Sequence, residues 1–134
     1  MKQKRRLGAQ KMTEEKRPLV YLVDDDITSL DITSYLVENR GYKVERSADG
    51  AKAIKEIQAS APDVLVVDLL MPEIDGIETV QQVRKLGFTG PIIAFTAVDD
   101  SDLHERAREA GCQEILTKPC RPEKLIATIE RILK

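Results

Sequence analysis

The sequence predicts a doubly wound α/β domain, a five-stranded parallel sheet with five helices, and three observations predict it. Residues 64–67, Val-Leu-Val-Val, run without polar alternation, as a strand buried by helices on both faces does. Short apolar or alternating runs of this kind recur five times, each followed by a stretch with helical spacing. Four of the five runs stop abruptly at a polar side chain on their C-terminal side. Each parallel crossover needs its own helix and is right-handed, so five strands and five helices close the count.

In chain order, Pro18 introduces Leu-Val-Tyr-Leu-Val, residues 19–23, which ends at Asp24, Asp25 and Asp26. A helix is expected over 27–40, with Ile27, Leu30, Ser34 and Val37 on its inner face and Gly41 as its stop. Residues 42–46 alternate and fit a more exposed strand. The second helix, 49–60, turns Ala53, Ile54 and Ile57 inward before Ala61-Pro62 ends it. The central strand leads into Asp68 and a Met71-Pro72 turn, and a third helix begins near Asp75-Gly76, buries Ile77, Val80 and Val83, and closes at Gly87. Residues 91–95 form another apolar run, ending at Thr96. A fourth helix over 101–110 is expected to bury Leu103, Ala107 and Ala110, and Gly111 stops it. The last strand, 114–117, ends at Lys118-Pro119, and the final helix carries Pro122 in its first turn and a broad stripe of Leu125, Ile126, Ile129, Ile132 and Leu133.

A chain of 134 residues with 42% apolar content suits one compact domain. The apolar runs are too short and too often interrupted by charge to span a bilayer, and the first residues lack a signal-like apolar core, so a cytoplasmic setting is expected. Cys112 and Cys120 form no metal-type spacing and read as free thiols. The net charge of −2 conceals an asymmetry. Residues 1–17 carry seven basic against two acidic side chains, a net +5, which leaves −7 for residues 18–134. That basic arm has no aromatic interleaving and no DNA-binding motif, so it is expected to be a disordered, solvated tail, with neither nucleic acid nor membrane as partner.

The polar strand ends carry the chemistry. In an open parallel sheet ligands bind beyond the carboxyl ends of the strands, so Asp24, Asp25, Asp68, Thr96 and Lys118 should share one crevice. An Asp after a strand is usually just a helix cap, and a Lys before Pro is usually surface decoration. Convergence at four strand ends outweighs that reading. Three crowded carboxylates repel unless a cation sits among them, and an all-oxygen site with few protein ligands favours Mg²⁺ with bound waters.

These residues resemble the response-regulator receiver domain of two-component signalling. The resemblance covers about residues 18–134 and rests on Val-Asp-Asp-Asp26, Asp68-x-x-Met-Pro-x-x-Asp-Gly76, Thr96-Ala97 and Lys118-Pro119. It implies a flavodoxin-like fold with strand order 2-1-3-4-5, which would set Asp24 and Asp25 beside Asp68. It also implies that Asp68 is the phosphoacceptor, taking a phosphoryl group from the phosphohistidine of a histidine kinase or a histidine phosphotransfer protein. By the same likeness, Mg²⁺ (or Mn²⁺) would be held by Asp24, Asp25, Asp68 and the backbone carbonyl of Leu70. Thr96 and Lys118 would stabilise the phosphoryl oxygens. A cis Lys118-Pro119 bond and a turn role for Gly76 follow from the same likeness. Such a chain is a signalling domain that catalyses only its own phosphorylation and slow dephosphorylation. Its output, whether the chain stands alone or is a part of a larger protein, is expected through protein contacts on the fourth and fifth helices.

The chain departs from the family pattern in several places. Ile115 stands where an aromatic is usual on the fifth strand, so a switch built on a swinging ring is not expected. Cys120 and Arg121 replace the frequent apolar and small capping residues after Lys-Pro. Leu70 and Val98, two residues after Asp68 and Thr96, offer no side-chain hydrogen bond to a hydrolytic water, which predicts a long-lived phosphoryl group. Two rival classes remain on the sequence. A phosphatase of the haloacid-dehalogenase type would need a second Asp where Leu70 stands. A degenerate receiver would bind its partner without phosphorylation, yet all five site residues are present. Acid-labile phosphate on Asp68 separates both from the favoured reading.

Overall fold

The computed structural model describes residues 17–71 and 75–134. The basic arm, Arg17 apart, and the turn at Pro72 therefore lie outside the described residues. Strands β1 (Leu19–Val23), β2 (Lys43–Ser47), β3 (Val64–Asp68), β4 (Ile92–Thr96) and β5 (Glu114–Thr117) form one sheet in the order β2-β1-β3-β4-β5. All four neighbouring pairs are parallel, as expected for a doubly wound sheet. Between and after the strands run α1 (Ile27–Glu38), α2 (Gly50–Ser60), α3 (Gly76–Lys85), α4 (Ser101–Ala110) and α5 (Pro122–Ile132).

Successive strand residues point to opposite faces, and the core divides accordingly. Val20, Leu22, Val64, Val66, Ile93 and Leu116 pack against Leu30 and Val37 of α1 and Leu125, Ile126 and Ile129 of α5. Tyr21, Val23, Leu65, Val67, Ile92 and Ala94 pack on the other face, against apolar residues of α2, α3 and α4. Four of the five residues of β3 are buried, which is why its sequence shows no alternation. An unpaired polar group there would cost on the order of several kcal/mol. The edge strand β2 can tolerate polar residues, with Glu45 and Arg46 exposed.

Four helices begin at an aspartate cap. Asp26, Asp49, Asp75 and Asp100 each accept a hydrogen bond from backbone N–H groups of the first turn. The fifth departs from this: Arg121 makes no side-chain cap, and Pro122 opens α5 with a ring already set to helical φ.

Several expectations need correction. Ile27 is 56% exposed, because it heads α1 above the rim of the sheet, and Leu30, Ser34 and Val37 alone form the buried face. Strand β2 runs one residue later than its alternation suggested, paired from Lys43 to Ser47 against β1. In α4 only Ala107 is buried, and Leu103 and Ala110 are half-buried at the border of the core. Gly76 has no left-handed backbone, so its role is not that of a turn. It is the first residue of α3, and a Cβ there would lie 2.3 Å from the Asp68 carbonyl oxygen and 2.4 Å from the Leu69 Cα. Glycine is required by this close approach, which the Gly76 N–H makes to the Leu69 carbonyl at 3.0 Å.

Candidate functional site

Strand register builds the site. Val23 pairs with Val67 across β1 and β3, so Asp24 and Asp68, the next residue of each chain segment, leave the sheet at the same level. Asp68 is paired in turn with Phe95, and Thr96 with Thr117, which aligns Thr96 and Lys118 at the same end. The Lys118 N–H donates to the Thr96 carbonyl at 2.6 Å, holding the ends of β4 and β5 together. The Lys118-Pro119 peptide is cis.

From that position the Lys118 ammonium reaches back across the mouth. Its Nζ donates to Asp24 Oδ2 at 3.0 Å and to Asp68 Oδ2 at 3.4 Å, and it stands 5.0 Å from the centre of the Phe95 ring. The other carboxylate oxygens face backbone donors. Asp24 Oδ1 accepts from the Asp26 N–H and Asp68 Oδ1 from the Leu70 N–H, each at 3.0 Å. Asp25 stays exposed on the rim. One oxygen from each of Asp24, Asp25 and Asp68 lies within 4.8 Å of the other two. Thr96 is fully buried, and its hydroxyl accepts from the Val98 N–H at 3.2 Å, leaving its own proton free to donate.

Burial pushes the Asp68 carboxyl above the usual carboxylate range. The Leu70 N–H and Lys118 pull it back, and the Asp24 charge adds to the rise. For Lys118 burial acts downward, but the hydrogen bond to Asp24 and the charges of both aspartates outweigh it and hold the ammonium above its ordinary value. The mouth thus carries more negative charge than one lysine neutralises. An all-oxygen donor set this close fits a hard divalent cation that keeps several of its waters.

Asp24, Asp68 and Lys118 are in contact, Asp25 is within reach of a shared ion, and Thr96 stands at the same strand ends. Leu70 lies on the rim, 47% exposed, tied to Asp68 by its N–H. Asp26 is set apart from its two acidic neighbours as the cap of α1, accepting from Thr28 and Ser29. Phe95 went unnoticed in the sequence. Its only signal is an aromatic residue immediately before Thr96, and strand alternation conceals that Lys118 folds over its ring. Beside Lys118 an apolar groove of about 530 Å³ opens between α1 and α5, lined by Ile32, Leu36, Phe95, Pro119, Cys120 and Leu125 among others.

Comparison with known proteins agrees with this architecture. Residues 20–130 match the family model of the response regulator receiver domain. Among curated proteins, the chain is 32% identical over 115 residues to the alkaline phosphatase synthesis transcriptional regulatory protein PhoP of Bacillus subtilis, covering 86% of this chain and 48% of PhoP. It is 34% identical over 115 residues to the response regulator MprA of Mycobacterium ulcerans, covering 86% of this chain and 50% of MprA. The chain therefore spans about half the length of the curated relatives it matches. Among solved structures, the chemotaxis response regulator CheY4 of Vibrio cholerae superposes with a TM-score of 0.82 at 32% identity, over 87% of this chain and 99% of that one. A CheY-like receiver domain protein of Methanospirillum hungatei superposes with a TM-score of 0.83 at 26% identity, over 87% and 94%. In fold, in sequence and in its acidic pocket, the chain belongs to the response regulator receiver domain family of two-component signal transduction.

Proposed function

We propose that this receiver domain, residues 18–134, accepts a phosphoryl group on Asp68 in a Mg²⁺-dependent reaction. The donor is the phosphohistidine of a histidine kinase or a histidine phosphotransfer protein. The observation that carries the reading is the meeting of three carboxylates within 4.8 Å beside a lysine that bridges two of them. An Asp68 carboxylate oxygen attacks phosphorus, the P–N bond of the phosphohistidine breaks, and its electron pair stays on the imidazole, which takes up a proton from solvent. The product is an aspartyl phosphate.

The protein's part is positioning and charge neutralisation, which is what a metaphosphate-like transition state needs. Thr96 donates its hydroxyl proton to one phosphoryl oxygen, and Lys118 pairs with another. Asp24, Asp25, Asp68 and the Leu70 carbonyl would hold Mg²⁺ (or Mn²⁺), which when bound neutralises charge between the carboxylates and the phosphoryl oxygens. The apolar groove between α1 and α5 adjoins Lys118 and gives a protein donor a surface to grip near the reacting atoms. The phosphorylated state passes to a downstream protein through contacts on α4 and α5. Among the described residues no helix is long and apolar enough to cross a membrane, and the two free thiols accord with the cytoplasmic setting this reading implies.

The test is incubation with acetyl phosphate, with and without Mg²⁺, followed by intact mass. The natural chain should gain one phosphoryl group only with the metal present, and Asp68→Asn should gain none. Undiminished labelling of Asp68→Asn would overturn the assignment.

A further inference from the structure

Thr96 is joined to α4 by a short chain of hydrogen bonds. The Val98 N–H donates to Thr96 Oγ1 at 3.2 Å, and the Val98 carbonyl lies 3.2 Å from Nε2 of His104, on the second turn of α4. A carbonyl can only accept, so Nε2 carries the proton and the imidazole donates. The Val98 residue is thereby held at both of its peptide groups, one by the threonine of the site and one by the helix. The helix start is itself anchored, with Asp100 Oδ1 accepting from Asp102 at 2.8 Å and from Leu103 at 3.3 Å.

We propose that His104 is a positioning residue for Thr96, acting through Val98. The inference rests on the reading of Asp68 as phosphoacceptor. The Val98 N–H occupies a lone pair of Thr96 Oγ1 and so turns the hydroxyl proton away from it, toward the position a phosphoryl oxygen takes. His104 keeps Val98 in place to do this. By reciprocity, a group that engages the Thr96 hydroxyl is felt at Val98 and at its bond to His104. Neighbouring β5 offers Ile115 on this side, an aliphatic side chain packed at the core border with no polar group to give the loop. The link between loop and helix falls to the imidazole.

His104 is the only histidine in the chain, so its ring resonances are assigned without ambiguity. The experiment records the imidazole ¹⁵N and ring proton shifts of the natural chain with Mg²⁺, before and after beryllium fluoride as phosphoryl mimic. Acetyl phosphate labelling rates are measured for the natural chain, His104→Phe and His104→Gln. The free protein should show a protonated Nε2, and the ring signals should move when the mimic binds. His104→Phe, which keeps a ring but loses the donor, should label about threefold more slowly or worse, while His104→Gln, which keeps an N–H, should recover at least about half the natural rate. A bystander ring that merely packs against the loop would be replaced by phenylalanine at little cost and would show no recovery with glutamine. Ring signals indifferent to the mimic in a chain that does label, or natural-rate labelling of His104→Phe, would overturn the proposal. A natural chain that takes no label at all would overturn the reading of Asp68 itself, and the link with it.

Discussion

The two ends of the sheet treat charge in opposite ways. At the C-terminal mouth, Asp24, Asp25 and Asp68 crowd within 4.8 Å of one another, one lysine bridges Asp24 and Asp68, and burial leaves Asp68 reluctant to ionise. At the N-terminal floor, Arg84 near the end of α3 is satisfied by neutral oxygens. Its Nη1 donates to the Phe88 and Gly90 carbonyls at 2.8 and 2.7 Å, and its Nη2 to the Gly111 carbonyl at 2.6 Å and Gln113 Oε1 at 3.3 Å. The guanidinium also lies 5.5 Å from the centre of the Phe88 ring. Cys112 alongside stays a neutral thiol, its pKa pushed up to about 11 by burial. One planar cation thus ties α3 to the segments leading into β4 and out of α4. The floor uses its polar groups to hold the fold, while the mouth leaves its carboxylates unbalanced, as the proposed phosphoacceptor site requires.

The largest stability effect should come from breaking the floor. Arg84→Ala removes four hydrogen bonds, three of them partly buried, and should cost about 2–4 kcal/mol by urea unfolding. Arg84→Lys should restore only part of this, since one ammonium cannot fork to oxygens on both sides. Labelling per folded molecule should stay near normal, which would confirm that floor and mouth are separate in function.

Gly76→Ala comes next, and strikes the mouth through its backbone. A Cβ 2.3 Å from the Asp68 carbonyl forces β3 or the start of α3 to shift, at a cost of about 1–3 kcal/mol. Here, unlike at the floor, acetyl phosphate labelling should slow as well, because the displaced backbone carries Asp68, the proposed phosphoacceptor. Labelling at the natural rate would show that the loop gives way without moving Asp68.

A kinetic effect of about tenfold, roughly 1.4 kcal/mol in the barrier, is expected from replacing Leu70 by Asn together with Val98 by Glu. Both new side chains could hold a water in line behind the phosphorus, which the exposed Leu70 and the half-buried Val98 cannot. The measurement is the decay of phospho-Asp68 in excess Mg²⁺, and a double variant no faster than the natural chain would place water control elsewhere.

The smallest effect is also the sharpest contrast with Arg84. Without metal, Asp68→Asn should raise Tm by a few degrees at neutral pH. Burial and the Asp24 charge raise the folded pKa of Asp68 above its unfolded value, so the ionised form weakens the fold above that pKa and the penalty fades as pH falls through it. The gain in the variant should therefore shrink on acidification. Saturating Mg²⁺ should shrink it too, by stabilising the natural carboxylate cluster.

The fold and the composition of the mouth were legible in the sequence for one reason. A buried parallel strand must be apolar throughout, so residues 64–67 declare themselves, and the first polar residue after such a run can only lie at the sheet's C-terminal end, as Asp24, Asp68 and Thr96 do. The helix starts at Asp49 and at Asp75-Gly76 were legible as aspartates followed by apolar periodicity, and the cis Lys118-Pro119 bond was implied by the family likeness. What required tertiary structure was direction and approach. Nothing local exposes Ile27, distinguishes Asp26 as a cap from Asp25 as a possible ligand, or shows that Gly76 is needed for the backbone of β3 passing 2.3 Å from its absent Cβ. The Lys118 contact with Phe95, the fork of Arg84 and the bond from His104 to Val98 join residues 4 to 29 positions apart. A residue's type and period determine which layer it enters, but which atom it meets there depends on strand register and loop path, and these are settled only when the layers pack together.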